Sequence, residues 1–153
     1  MNEMDTKALE EMVRKVLGEI MGSGEGSGAD DELRHRDASG VMSFRVPKIK
    51  PDPFDTGNPR NKVFLKDLAS VEESGRLGFG VMEMDKSAFD WTLRYDEVNY
   101  VVEGRLEILV DGRTVAADKG EMIFIPKGSS ITFSAPGFAR FVYVVYPANW
   151  ASL

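Results

Sequence analysis

With 153 residues, 42% of them hydrophobic and 29% charged, the chain has material for one core and a modest appendage. The absence of cysteine excludes disulfides, zinc–thiolate sites and thiol nucleophiles, and a net charge of −6 argues against a nucleic-acid binder. No apolar run is long enough to span a bilayer, and acids and bases interrupt the N-terminal stretch as no signal peptide would allow, so a cytosolic protein is expected.

The chain divides into three zones. Over residues 1–21, Leu9, Met12, Val13, Val16, Leu17, Ile20 and Met21 recur at helical spacing, with Asp5 or Thr6 as N-cap and Gly22 as stop. The polar face pairs Glu10 with Arg14 and Glu11 with Lys15, acid before base one turn apart. An isolated helix of about 15 residues is marginal in water. This one is predicted to fold against a surface, whether a partner's groove, its own domain or a second copy. The acids of its polar face count against membrane attachment.

Residues 22–41 open with GSGEGSG and continue as a mixed-charge run that offers nothing to bury, which predicts a flexible linker. The only histidine of the chain, His35, falls in it between Arg34 and Arg36.

Residues 42–153 read as the folded domain. Pro47, Pro51, Pro53 and Pro59 make its entry an extended, irregular lead-in. Short strands are then predicted over 62–65, 77–85, 91–94, 98–102, 106–110, 113–117, 122–125, 130–134 and 140–146. Glycine-bearing turns separate them, Glu103-Gly104, Asp111-Gly112, Lys119-Gly120, Lys127-Gly128 and Pro136-Gly137 among them, and one helical turn is allowed near 66–73. The fold class is all-β, a sandwich or barrel.

Two spaced signatures sharpen this. Glu97 is followed by VNYVVE and Gly104, and Gly120 is followed by EMIFI and then Pro126-Lys127-Gly128. Together these resemble the paired motifs of the cupin superfamily, which implies a single jelly-roll β-barrel preceded by the linker and the amphipathic helix. Metal-binding cupins carry histidines at positions that here hold Trp91, Leu93 and Ile131. Apolar side chains do not ligate zinc, iron or copper, so no transition metal is expected.

WTLRYDE (91–97), IPKGSSI (125–131) and YPANWASL (146–153) resemble the cupin domain of the EutQ family of ethanolamine-utilisation operons. That resemblance implies association with a bacterial microcompartment in the cytoplasm, a homodimer, and an acetate kinase-like activity using ATP and Mg²⁺. The helix over 1–21 is similar to encapsulation peptides, which implies shell or cargo proteins as its partners. The residues themselves show no phosphate loop. Arg94, Lys127 and Arg140 are candidates to reach phosphates, and Asp90, Asp96 and Glu97 to offer oxygens to Mg²⁺.

Glu97 is the sharpest candidate. With one irregularity before Glu97, strand alternation aims Trp91, Leu93, Glu97, Asn99 and Val101 inward, where a carboxyl among apolar side chains has a raised pKa suited to acid–base work. Its rival role is that of a satisfied core carboxyl. Trp91, Phe133 and Tyr143 are core residues first and pocket walls second; Leu93 and Ile131 complete the apolar lining. Tyr95 is placed at the mouth or on the surface, and Asn99 as a polar contact for Glu97 or a ligand. A polar, open cavity around Glu97 points to chemistry, and one packed shut points to an adaptor or structural role.

Overall fold

The computed structural model describes residues 30–153, so the helix expected over 1–21 and the start of the linker lie outside the described residues. The chain divides into two units, Met1–Pro47 and Lys48–Leu153. In the first, a one-turn helix α1 (Asp30–Leu33) leads into β1 (Arg34–Arg36), which pairs antiparallel with β2 (Met42–Phe44). The Asp37 N–H donates to the Val41 carbonyl at 2.8 Å, the Ser39 N–H to the Asp37 carboxylate at 2.8 Å, and Gly40 takes φ +93°. The second half of the expected linker is thus a small hairpin, and residues 42–44 pair within it instead of opening the barrel. Composition hid this because two three-residue strands joined by Asp-Ala-Ser-Gly turn chemistry leave no hydrophobic period to read.

The second unit holds β3 (Asp52–Pro53), β4 (Lys62–Asp67), the one-turn helix α2 (Val71–Ser74), β5 (Gly78–Thr92), β6 (Asp96–Val110), β7 (Arg113–Asp118), β8 (Met122–Ile125) and β9 (Ser130–Tyr146). Ser70 and Glu73 cap α2 reciprocally. The strands form one sheet in the order β3-β4-β5-β9-β6-β7, with β8 added on β6. Pairing is antiparallel throughout.

Strands β5, β6 and β9 are 15, 15 and 17 residues long, where the sequence predicts two shorter strands for each. Each bends and serves both halves of the barrel. The C-terminal half of β9 lies between the starts of β5 and β6, and its N-terminal half between their ends. Register shifts mark the bends, between Asp85 and Ser87, Val101 and Glu103, and Gly104 and Glu107. Bulges turn a strand without ending it, so turn residues such as Gly104 sit inside a strand. At Gly104, φ is +75° and an added Cβ would run into the Phe138 carbonyl.

The result is a curled sheet closed around one core. Met84, Leu93, Val101, Leu106 and Phe141 are fully buried within it. The predicted jelly-roll barrel is the observed fold.

Candidate functional site

Glu97 sits in the middle of the sheet. Its backbone pairs with Ile125 of β8 on one side and Val145 of β9 on the other, which fixes the strand's orientation. Alternation along β6 then buries Glu97, Asn99 and Val101 and leaves Tyr100 outside, as the sequence predicts. Glu97 is only 6% exposed. Burial pushes its carboxyl up to about 8, and Asn99 offsets that only in part. Asn99 is itself fully buried, and neither its Nδ2 nor its Oδ1 makes a hydrogen bond of ordinary geometry. The Asn99 amide therefore has no well-made hydrogen bond among the described residues.

Tyr95 is not a surface residue but lines the pocket. Residues 93–95 carry the chain from the end of β5 to the start of β6, which flank opposite ends of β9. This crossing is tied to the β8–β9 turn, with Leu93 N–H donating to Ser129 O at 2.9 Å and Gly128 N–H to Leu93 O at 2.8 Å. Tyr95 is thereby turned inward and is 4% exposed. Its hydroxyl accepts the indole N–H of Trp91 at 2.8 Å. Burial first, and the neighbouring Glu97 second, push the Tyr95 hydroxyl above the usual tyrosine range.

Trp91, Tyr95, Glu97, Phe133 and Tyr143 line one cavity together with Phe54, Leu65, Met82, Phe89, Val145 and Trp150. Its volume is about 20 Å³, room for about one water. Leu93, Asn99 and Ile131 were expected in the lining and are not there: Leu93 and Asn99 are fully buried in the core, and Ile131 borders a separate, open depression of about 460 Å³ with Asp90 and Asp111. The sequence reading did not place Phe54, Leu65, Met82, Phe89, Val145 or Trp150 in the site. Phe54 lies in the proline-rich lead-in and Trp150 in a 3-10 turn, Trp150–Ser152, where no strand period flags an inward residue. A large aromatic outside any regular element was the available signal, since such a side chain must find cover somewhere.

The rings form a linked set. Trp91 meets Phe54 at 6.2 Å, Phe89 at 6.2 Å and Trp150 at 6.4 Å, and Tyr95 meets Trp150 at 6.0 Å, all edge-on or steeply inclined.

At the three positions where metal-binding cupins place histidines, Trp91, Leu93 and Ile131 offer no donor atom to a transition metal, so the donor set does not fit one. The candidate phosphate contacts separate. Arg94 and Lys127 are exposed on the two loops that bond to each other, whereas Arg140 is half-buried and committed to Glu83 and to the Ile49 carbonyl. Of the candidate Mg²⁺ ligands, Asp96 accepts the Lys127 N–H at 2.8 Å, Asp90 accepts the Thr132 hydroxyl at 2.6 Å, and Glu97 lies inside. Among the described residues no three acidic or imidazole side chains converge on one point.

The profile of the family described as ethanolamine utilisation protein EutQ matches residues 4–152. The chain belongs to the EutQ family. It is 49% identical, over 99% of its own length and 97% of the relative's, to a protein of Clostridioides difficile named acetate kinase EutQ. It is 41% identical over 74% of its length to the acetate kinase EutQ of Salmonella typhimurium, of which it spans about half (49%). A solved structure of the Clostridium difficile EutQ protein matches with TM-score 0.77 and 56% identity, covering 78% of this chain and 90% of that one. The Cnp3 cupin domain of Schizosaccharomyces pombe, 15% identical, matches 72% of each chain with TM-score 0.56, a likeness of fold alone. This EutQ-family chain therefore has the cupin fold its motifs suggested. No helix among its described residues is long and apolar enough to cross a membrane.

Proposed function

We propose that this EutQ-family protein transfers a phosphoryl group from ATP to acetate, with Glu97 at the acetate end of the site. The observation that carries this reading is the 49% identity, over nearly the whole chain, to a relative named acetate kinase EutQ. In the reaction an acetate oxygen bonds to the γ-phosphorus, the bond from that phosphorus to the bridging oxygen breaks, and ADP leaves. The cavity around Glu97 has no cationic lining and is far too small for a nucleotide. The triphosphate is proposed to lie outside the barrel, towards Arg94 and Lys127, whose loops are bonded to each other. Mg²⁺ would shield its charge, with Asp96 the acid nearest those loops. No transition metal takes part.

Formation of acetyl phosphate from acetate, ATP and Mg²⁺ tests the proposal in wild type and Glu97→Gln. A drop of tenfold or more in the variant is expected, and equal rates would remove Glu97 from the reaction. A second reading is a non-catalytic adaptor or small-ligand binder, favoured by the small volume of the cavity, about 20 Å³. A folded wild type without turnover selects it.

The N-terminal segment, residues 1–21, is proposed to bind shell or cargo proteins of a bacterial microcompartment in the cytoplasm. The reading is supported by the apolar stripe from Leu9 to Met21 and the Gly/Ser run after it. Residues 1–28 fused to a reporter should give punctate signal in compartment-forming cells; diffuse signal counts against it. The protein is further proposed to be a homodimer through the outer face of β6, β8 and β9.

A further inference from the structure

The walls of the Glu97 cavity are aromatic, and the Tyr95 hydroxyl and the Glu97 carboxyl are the groups with chemistry to offer inside it; Tyr143, also in the lining, spends its proton on Asp67 at 2.6 Å. Trp91 donates its indole N–H to the Tyr95 oxygen at 2.8 Å, so the Tyr95 proton is left for some other acceptor. Among the described residues no Lys, Arg or His lines the space. An anion that enters must therefore be met by neutral O–H donors, with an apolar end against the rings.

We propose that this cavity binds a short-chain monocarboxylate, with the Tyr95 hydroxyl and the Glu97 carboxyl meeting its oxygens and its alkyl end packed on Trp91 and Phe133. The assignment rests on the reading of the site as the acetate end of the reaction and adds how the acid is recognised. Two carboxyl groups at contact cannot both be ionised, so the bound pair shares one proton, the one Glu97 brings. The other ionisable groups facing Glu97 are Tyr95 from the crossing loop and Tyr143 from β9, the latter backed by Asp67 of β4. Burial holds both tyrosines above their usual range, so Glu97 alone changes charge near neutral pH.

Trp150 is the gate. With it in place the cavity, about 20 Å³, holds no more than a water-sized body. The hydrogen bonds of its turn, from Ser152 and Leu153 back to Asn149 and Trp150, stay within residues 149–153. Trp150 meets the rings of Trp91 and Tyr95, and its Cδ1 lies beside Gly78. Displacing one side chain opens the space without unpairing a strand.

Calorimetric titration of the full chain with sodium acetate from pH 6 to pH 10, without nucleotide, tests the assignment, with methylammonium chloride as the opposite arm. Acetate affinity should hold up to about pH 7.5 and fall about tenfold per pH unit above about pH 8. Tyr95→Phe should weaken it about tenfold with the same pH profile, Glu97→Gln should abolish the pH dependence, and Trp150→Ala should speed acetate entry. Acetate affinity that is flat to pH 10 in wild type, or no acetate binding by wild type and Trp150→Ala alike, overturns the inference. So does a site that takes methylammonium instead, with affinity rising with pH, because that ligand needs Glu97 ionised among aromatic faces. Acetate bound in this way without acetyl phosphate formation keeps the inference and removes the kinase reading. Turnover without the pH-dependent binding does the reverse.

Discussion

The Tyr143 hydroxyl reaches across Gly80 to donate to the Asp67 carboxylate at 2.6 Å, joining β9 to β4 over the strand between them. Only a glycine permits this. A Cβ at Gly80 would overlap both the Tyr143 hydroxyl and the Lys66 carbonyl. Gly80→Ala is therefore expected to cost about 2–4 kcal/mol, as overpacking against backbone does. Tyr143→Phe, which removes one hydrogen bond and leaves Asp67 nearer the surface, should cost about 1–2 kcal/mol. Urea unfolding of both variants checks the order. A Gly80→Ala protein as stable as wild type would show that Tyr143 does not need this passage.

Glu97 predicts a pH dependence of stability with a definite sign. Its carboxyl is pushed from 4.5 to about 8 in the folded protein by burial. Between those values the folded state holds a proton that the unfolded state has lost, so stability falls as pH rises and the loss is complete above about pH 8. At about 1.4 kcal/mol per pH unit the penalty amounts to about 3–5 kcal/mol. Glu97→Gln escapes it. The stability of the variant relative to wild type should therefore rise from pH 5 to pH 9, read as a Tm gap that widens by roughly 10 °C or more. A constant gap would mean that the wild-type carboxyl is not desolvated.

How much of this was legible in the sequence depended on what each residue was bound to. Glu97, Asn99 and the apolar replacements at Trp91, Leu93 and Ile131 were readable because strand alternation is local and the two spaced motifs fixed its phase. The long strands were not. Gly104 and Pro136-Gly137 carry the chemistry of chain reversal, but in β6 and β9 the neighbouring strand continues past them, and the same residues become bends. Only the partner strand decides between a turn and a bulge, and the partner is remote in sequence. The inward turn of Tyr95 and of Trp150 was hidden for a related reason. Neither lies in a strand, so no period assigned them a side, and both were drawn inward by loops bonded or packed at the barrel's end.

Arg140 illustrates a cation whose role changed with its surroundings. Its guanidinium, 12% exposed, pairs with Glu83 across the β5–β9 ladder and donates to the Ile49 carbonyl at 2.9 Å. It thus clips the start of the lead-in to the barrel wall. Arg140→Ala should cost about 2–3 kcal/mol, below the value for a fully buried pair because Glu83 retains some water. Proteolysis should also become faster at Lys48 and Lys50, on either side of the released carbonyl. Lost stability without faster cleavage there would separate the ion pair from the clip.

Phe141, Tyr143 and Val145 face the core, so the faces open to a second copy are those of their alternates. Register sets Phe124, Val98 and Val144 side by side, and Met122, Tyr100 and Val142 in the next row. Of these, Met122 and Phe124 are each 63% exposed, and Tyr146 at the end of β9 is 54% exposed. Apolar side chains in two adjoining rows form a patch of the kind that marks an interface rather than scattered surface residues. A sheet face packs well on a copy of itself about a two-fold axis, because each row then meets its own equivalent. Phe124→Glu places charge at the middle of that contact while leaving the inward face of β8, Ile123 and Ile125, untouched. Sedimentation should show a dimer for wild type and a monomer for Phe124→Glu, with the same circular dichroism for both. A wild type that sediments as a monomer at concentrations of tens of micromolar would leave the face to a different partner.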